Sequence, residues 1–176
     1  MLDKILILSA SSGAGHVRAA QALERAVVEL NAAREVRHID TLLYTNKMFR
    51  NLYSKLYLDT VNSAPGLFGW LYDHFDEPWR DERQRLVFDK LNTGPFVKML
   101  DRYQPDVIIC THFLPAEIVS WLKGERRLAA HHAIVVTDFD VHAMWLCHHY
   151  EHYFVALNET CVHLEKLGVP SNKVDE

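Results

Sequence analysis

The sequence predicts an α/β fold, a parallel, doubly wound sheet with flanking helices, on three observations. Short apolar runs recur at 4–9, 36–40, 106–111, 133–137 and 153–157, each of strand length. Helical periodicity separates most of them, the alternation that parallel crossovers require. The first run hands over to a helix through Ser9-Ala10-Ser11-Ser12-Gly13-Ala14-Gly15-His16, a turn of small residues ending on an imidazole.

Taken in order, 4–9 is a β-branched and leucine run that reads as a buried strand. Behind the turn, Ala19, Ala20, Leu23, Ala26, Val27 and Leu30 recur at spacings of three and four, one helical stripe. The run 36–40 closes on Asp40. From about 45 to 103 the alternation stops, and a helical excursion of two or three helices is expected. Phe49, Leu52, Tyr53, Leu56 and Tyr57 form one apolar face there, flanked by Lys47, Arg50 and Lys55. Leu67, Phe68, Trp70, Leu71, Tyr72, Phe75 and Trp79 form a second cluster. Aromatics beside cations suit a helix lying in a membrane interface, and the same spacing suits core packing. Pro105 stands at the start of the third run, where a strand tolerates proline. The last helix opens at Asn158-Glu159-Thr160 and stops at Leu167-Gly168-Val169-Pro170, a Gly-then-Pro signal.

At 176 residues, 49% hydrophobic and 24% charged, the chain is expected to be one globular domain spanning 1–176. A net charge of -4 argues against a duplex-binding face, so no nucleic-acid partner is expected. No apolar run reaches the length of a membrane span and no signal-peptide pattern opens the chain. Cys110, Cys147 and Cys161 form no CxxC pair and no even set, so they read as reduced thiols of a cytoplasmic protein.

The glycine-containing turn carries the chemistry. Ser12, Gly13, Ala14 and Gly15 leave backbone N–H groups at a helix N-terminus free to meet an anion. His16 stands at that mouth, where it can take a proton from a hydroxyl. A dinucleotide fingerprint fails because Arg18 occupies its third glycine position, and a Walker A loop fails because His16 and Val17 follow Gly15. Asp40 is a weak signal for a ribose-binding acid, and a glycine turn used only for packing is the plain alternative. Asp138 and Asp140 follow the fourth run, at the strand end where open α/β sheets place ligands. They can orient an imidazole or a sugar hydroxyl, or cap a turn. His142, His148, His149 and His152 cluster without HExxH or Cys/His zinc spacing, so no metal site is expected.

Three ordered motifs carry a family resemblance over nearly the whole chain. They are the 9–16 loop with Ala19-Ala20, then Val136-Thr137-Asp138-Phe139-Asp140-Val141-His142-Ala143-Met144-Trp145, then Phe154-Val155-Ala156-Leu157 with Glu159-Thr160 and Leu167-Gly168-Val169-Pro170. Together they resemble the N-terminal domain of the monogalactosyldiacylglycerol synthase family, which includes the bacterial diacylglycerol glucosyltransferases. The resemblance implies the Rossmann-like N-terminal half of a GT-B fold, with a donor-binding second domain that runs on past the position of Glu176. It implies an inverting glycosyltransferase that moves a hexose from a UDP-sugar to diacylglycerol without a cofactor. His16 takes the place of the proposed general base, with Asp138 and Asp140 near it and the donor diphosphate over Ser12, Gly13, Ala14 and Gly15. Phe49, Tyr53, Leu67, Phe68, Trp70 and Trp145 fall on the acceptor and membrane side, and an anionic membrane surface becomes an expected peripheral partner. Ser11 stands where plant members carry an aspartate, so that acid's role does not transfer. The 176-residue chain alone is expected to transfer no sugar. The rival readings are a non-catalytic lipid- or membrane-binding module and a GT-B enzyme with another lipid-linked acceptor.

Overall fold

Where the first apolar run was expected, strand β1 (Leu2–Ser9) forms, buried on both faces from Ile5 onward. A computed structural model of the chain describes residues 2–51, 82–139 and 141–176. Helix α1 (Ala14–Glu29) and strand β2 (Ala33–Asp40) follow, then a 3-10 turn over Thr41–Tyr44. The chain is helical again over 47–51. Helices α2 (Glu82–Asn92) and α3 (Gly94–Tyr103) come next, so the part of the excursion that is described is helical, as expected. The rest is strand β3 (Val107–Cys110), helix α4 (Phe113–Gly124), strand β4 (His131–Val135), a 3-10 turn Ala143–Trp145, strand β5 (His152–Phe154), helix α5 (Asn158–Lys166) and strand β6 (Val174–Asp175).

All neighbouring strands pair in parallel, in the order β2-β1-β3-β4-β5-β6. The open sheet with helices around it is the Rossmann-like architecture. Five strands coincide with the apolar runs to within a few residues. The fifth stops at Phe154 because Leu157 is already the extended residue before α5. Strand β6 was not anticipated, since two residues carry no periodicity.

Alternate side chains of β1 feed two cores, as a covered parallel sheet requires. Ile5 and Ile7 pack with Ala20, Leu23 and Val27 of α1. Leu6 and Leu8 face Phe96 and Leu100 of α3 and Ile118 and Leu122 of α4. The Gly168 stop works as the sequence suggests. Gly168 has φ 98, and its N–H and that of Val169 reach the Glu165 and Leu164 carbonyls, a Schellman closure of α5.

The connection leaving β1 runs to β2 on one side and the connection leaving β3 runs to β4 on the other, so the chain diverges at the carboxyl ends of these adjacent strands. That is the switch point, where doubly wound sheets open a crevice. The 10–13 turn, the residues after β3 and the residues after β4 all gather there.

Candidate functional site

His16 lies in the first turn of α1 and is half-buried. Its Nδ1 is 3.0 Å from the Thr111 carbonyl and 2.6 Å from Thr137 Oγ1. A carbonyl only accepts, so Nδ1 carries the proton and Nε2 holds the lone pair. Among the described residues Nε2 has no hydrogen-bond partner. A Cβ built on Gly13 would come within 3.9 Å of Nε2, so glycine there keeps the approach to that atom open.

Burial pulls the His16 pKa below its usual 6.5, while the Asp138 charge and the Thr111 hydrogen bond pull it back. The ring is therefore neutral at pH 7 and able to accept a proton.

Behind it lies His112, fully buried, with ring centroid 4.5 Å from that of His16 in an edge contact. The Leu114 N–H donates to His112 Nδ1 at 3.0 Å, capping α4. The remaining proton of the neutral ring is then on Nε2, which donates to Ser12 Oγ at 2.9 Å. Burial holds the His112 pKa well below the ordinary histidine value, and the neighbouring His16 adds to that. Ser12 is thus fixed from behind, while Ala14 and Gly15 are exposed and Gly13 is partly so. No side chain caps α1 and no acid stands in its first turn, so its amide edge suits a phosphate.

Asp138 lies close enough for its charge to act on His16, but its hydrogen bonds go elsewhere. Its Oδ2 accepts from Trp145 Nε1 at 2.8 Å and lies 3.5 Å from His142 Nε2. Burial pushes the carboxyl up, and the hydrogen bonds from His142 and Trp145 outweigh it, so the pKa lies below the usual value. His16 Nδ1 is held by two neutral oxygens, and Asp138 acts on the ring through its charge. Asp140 lies outside the described residues, as do Tyr53, Leu67, Phe68 and Trp70.

Two residues expected on the acceptor and membrane side are placed otherwise. Trp145 is fully buried beneath His16, His112, Phe113 and His142, because the indole N–H finds its acceptor in Asp138 and the ring fills the floor. Phe49 is 3% exposed and packs with Ala10, Leu42 and Leu114, underneath the 10–13 turn. Both support the site from below rather than offering a surface. Asp40 is structural too, its Oδ1 accepting from the Ser11 and Leu42 N–H groups.

The later histidines scatter into structural work. The His149 N–H donates to Ser120 Oγ, and His152 pairs with Asp175. Among the described residues no group of three His, Cys, Asp or Glu is placed to hold a metal. Sequence reasoning missed His112 and Thr137 as partners of the site. The signal that could have found them is positional, since His112 directly follows the expected run 106–111 and Thr137 closes the run 133–137, the ends of the strands where the His16 turn also lies.

A doubly wound α/β domain with a neutral imidazole and an uncapped helix end at its switch point has the groups to take a proton from a hydroxyl and to favour an anion. Residues 16–176 match the family model for monogalactosyldiacylglycerol (MGDG) synthase, and the chain belongs to that family. It is similar to processive diacylglycerol beta-glucosyltransferases of Staphylococcus haemolyticus, 23% identical over 172 residues, and of Bacillus thuringiensis, 25% identical over 173. These alignments take in 97% and 98% of this chain but 42% and 44% of the relatives, so the chain spans less than half their length.

Proposed function

We propose that the chain is the acceptor-side domain of an inverting glycosyltransferase that moves a hexose from a UDP-sugar to diacylglycerol. The observation that carries this reading is the His16 ring, proton on Nδ1 and lone pair on Nε2 at an opening floored by Gly13. In the reaction, Nε2 takes the proton of the glycerol hydroxyl as that oxygen bonds to the anomeric carbon. The bond from that carbon to the diphosphate oxygen breaks on the opposite face, and UDP leaves with the electron pair. The amides of 14 and 15 and the Ser12 hydroxyl favour the departing charge. The names of the similar glucosyltransferases support the choice of acceptor.

Peripheral attachment to an anionic membrane is part of the same reading. Among the described residues no helix is long and apolar enough to cross a membrane. Met48, Phe88 and Leu91 are exposed around the junction where Asn46 bonds Asn92 and Phe49 meets Phe88, with Lys47 alongside. Such an apolar patch edged by a cation fits an interface.

The test is transfer of labelled glucose or galactose from the UDP-sugar to diacylglycerol in vesicles. A protein of the relatives' full length carrying this chain should form the glycolipid, and the 176-residue chain alone should form none, because one domain holds one reactant. No product from the longer protein with either sugar would overturn the reading, as would full activity from the chain alone.

A further inference from the structure

A histidine serves as a base through whichever ring nitrogen lacks a proton, and the partner of the other nitrogen decides which one that is. The two oxygens around His16 Nδ1 come from the ends of β3 and β4, adjacent strands in register at Cys110 and Ile134. Their separation is therefore set by the sheet and not by a free loop. Thr137 Oγ1 is 3.4 Å from the Thr111 carbonyl, so its own proton points there and its lone pair turns towards Nδ1–H. Thr111 also grips the backbone, its N–H on the Leu8 carbonyl at 2.8 Å and its Oγ1 2.9 Å from the His16 carbonyl. Thr111 thus holds both ring and main chain of His16, and Thr137 holds the ring.

We propose that Thr137 is a positioning residue for His16, which together with the Thr111 carbonyl holds the Nδ1–H tautomer and leaves Nε2 as the proton-accepting atom. The proposal rests on the reading of His16 as the base, but the tautomer belongs to the ring and is measured without turnover. Other groups face this ring from each neighbouring element. His112 presents an edge from the start of α4, and Asp138 and His142 act on it by charge from the residues after β4. None of these three hydrogen-bonds the ring, so Thr137 is the only side chain among the described residues that does. A neutral oxygen stabilises the imidazolium less than a carboxylate would, which keeps the ring free of its proton at neutral pH.

The experiment is nitrogen-resolved NMR of the histidine rings in the 176-residue chain, with Thr137→Val and Thr137→Ser beside the wild type. The wild type should show His16 as a single Nδ1–H tautomer. Thr137→Val should let the Nε2–H form appear and move the His16 titration midpoint downward, and Thr137→Ser should restore both. An Nε2–H tautomer in the wild type overturns the proposal without any variant, as does Thr137→Val that changes neither tautomer nor midpoint. In the longer protein, Thr137→Val should lower kcat about 10–100-fold with KM unchanged, less than loss of the base itself. A change confined to KM overturns the positioning role. If the tautomer is as stated but His16→Ala keeps full turnover, the base reading falls and the assignment of the ring stands.

Discussion

At the amino end of β4, His132 is fully buried and its Nδ1 is 3.0 Å from the His149 carbonyl. At the carboxyl end, Thr137 and the Thr111 carbonyl hold the same atom of His16. Both rings are locked by an Nδ1–H bond to a backbone oxygen, and they differ in what Nε2 meets. In His132 it is buried without a hydrogen-bond partner among the described residues, and burial lowers the pKa to about 4. In His16 it meets the opening beside Gly13, and the pKa is lowered without the ring being sealed. One device thus gives a sealed histidine or one able to accept a proton, according to the surroundings of the second nitrogen.

The largest effect on stability should come from the floor of the carboxyl-end cluster. Trp145→Ala removes a fully buried indole and takes from Asp138 its indole donor, at about 3–5 kcal/mol in urea unfolding. A cost under about 1 kcal/mol would mean that the rings above do not depend on it. The amino-end cluster should show itself through pH. The unfolded chain protonates His132 near 6.5 and the folded chain only near 4, so the unfolded state binds more protons in between. Stability should therefore fall as pH drops from about 6.5 to 4, by roughly 3 kcal/mol from this residue alone. His132→Gln should flatten that slope, and an unchanged slope would show that His132 is not the group responsible.

His112 separates two roles at the site. His112→Ala should cost about 1–2 kcal/mol through loss of the α4 cap, whereas His112→Asn keeps an acceptor for the Leu114 N–H and should recover most of it. Equal destabilisation by both would place the stability in the bond to Ser12. The smallest effect belongs to the membrane patch. Met48→Glu or Leu91→Glu should weaken co-sedimentation with anionic vesicles about tenfold and leave the His16 NMR signals unmoved, since neither touches the clamp. Binding that ignores both substitutions and salt would remove the patch from the account.

These outcomes bear on what the amino-acid order reveals. The strands were legible because β1, β3 and β4 are short apolar runs, and α5 because Gly168 and Pro170 mark its end. His16 was legible because its turn is local, small residues handing a strand to a helix. Its clamp was not, because Thr111 and Thr137 lie 95 and 121 residues away and meet it only when β1, β3 and β4 align. Trp145 and Phe49 misled for a related reason. An aromatic side chain carries the same sequence signal whether it faces lipid or fills the floor under a turn, and only the packing of α4 and the 10–13 turn decides.

The most direct test of the central claim is the pH dependence of kcat/KM for sugar transfer to diacylglycerol, in the longer protein with and without His16→Ala. The wild-type rate should fall on acidification through an ionisation lying below the ordinary histidine value of 6.5, as the lowered His16 pKa requires. His16→Ala should lose both that ionisation and about 10²–10⁴-fold of turnover. A variant that keeps the wild-type rate and the same acid limb would contradict the assignment of His16 as the base.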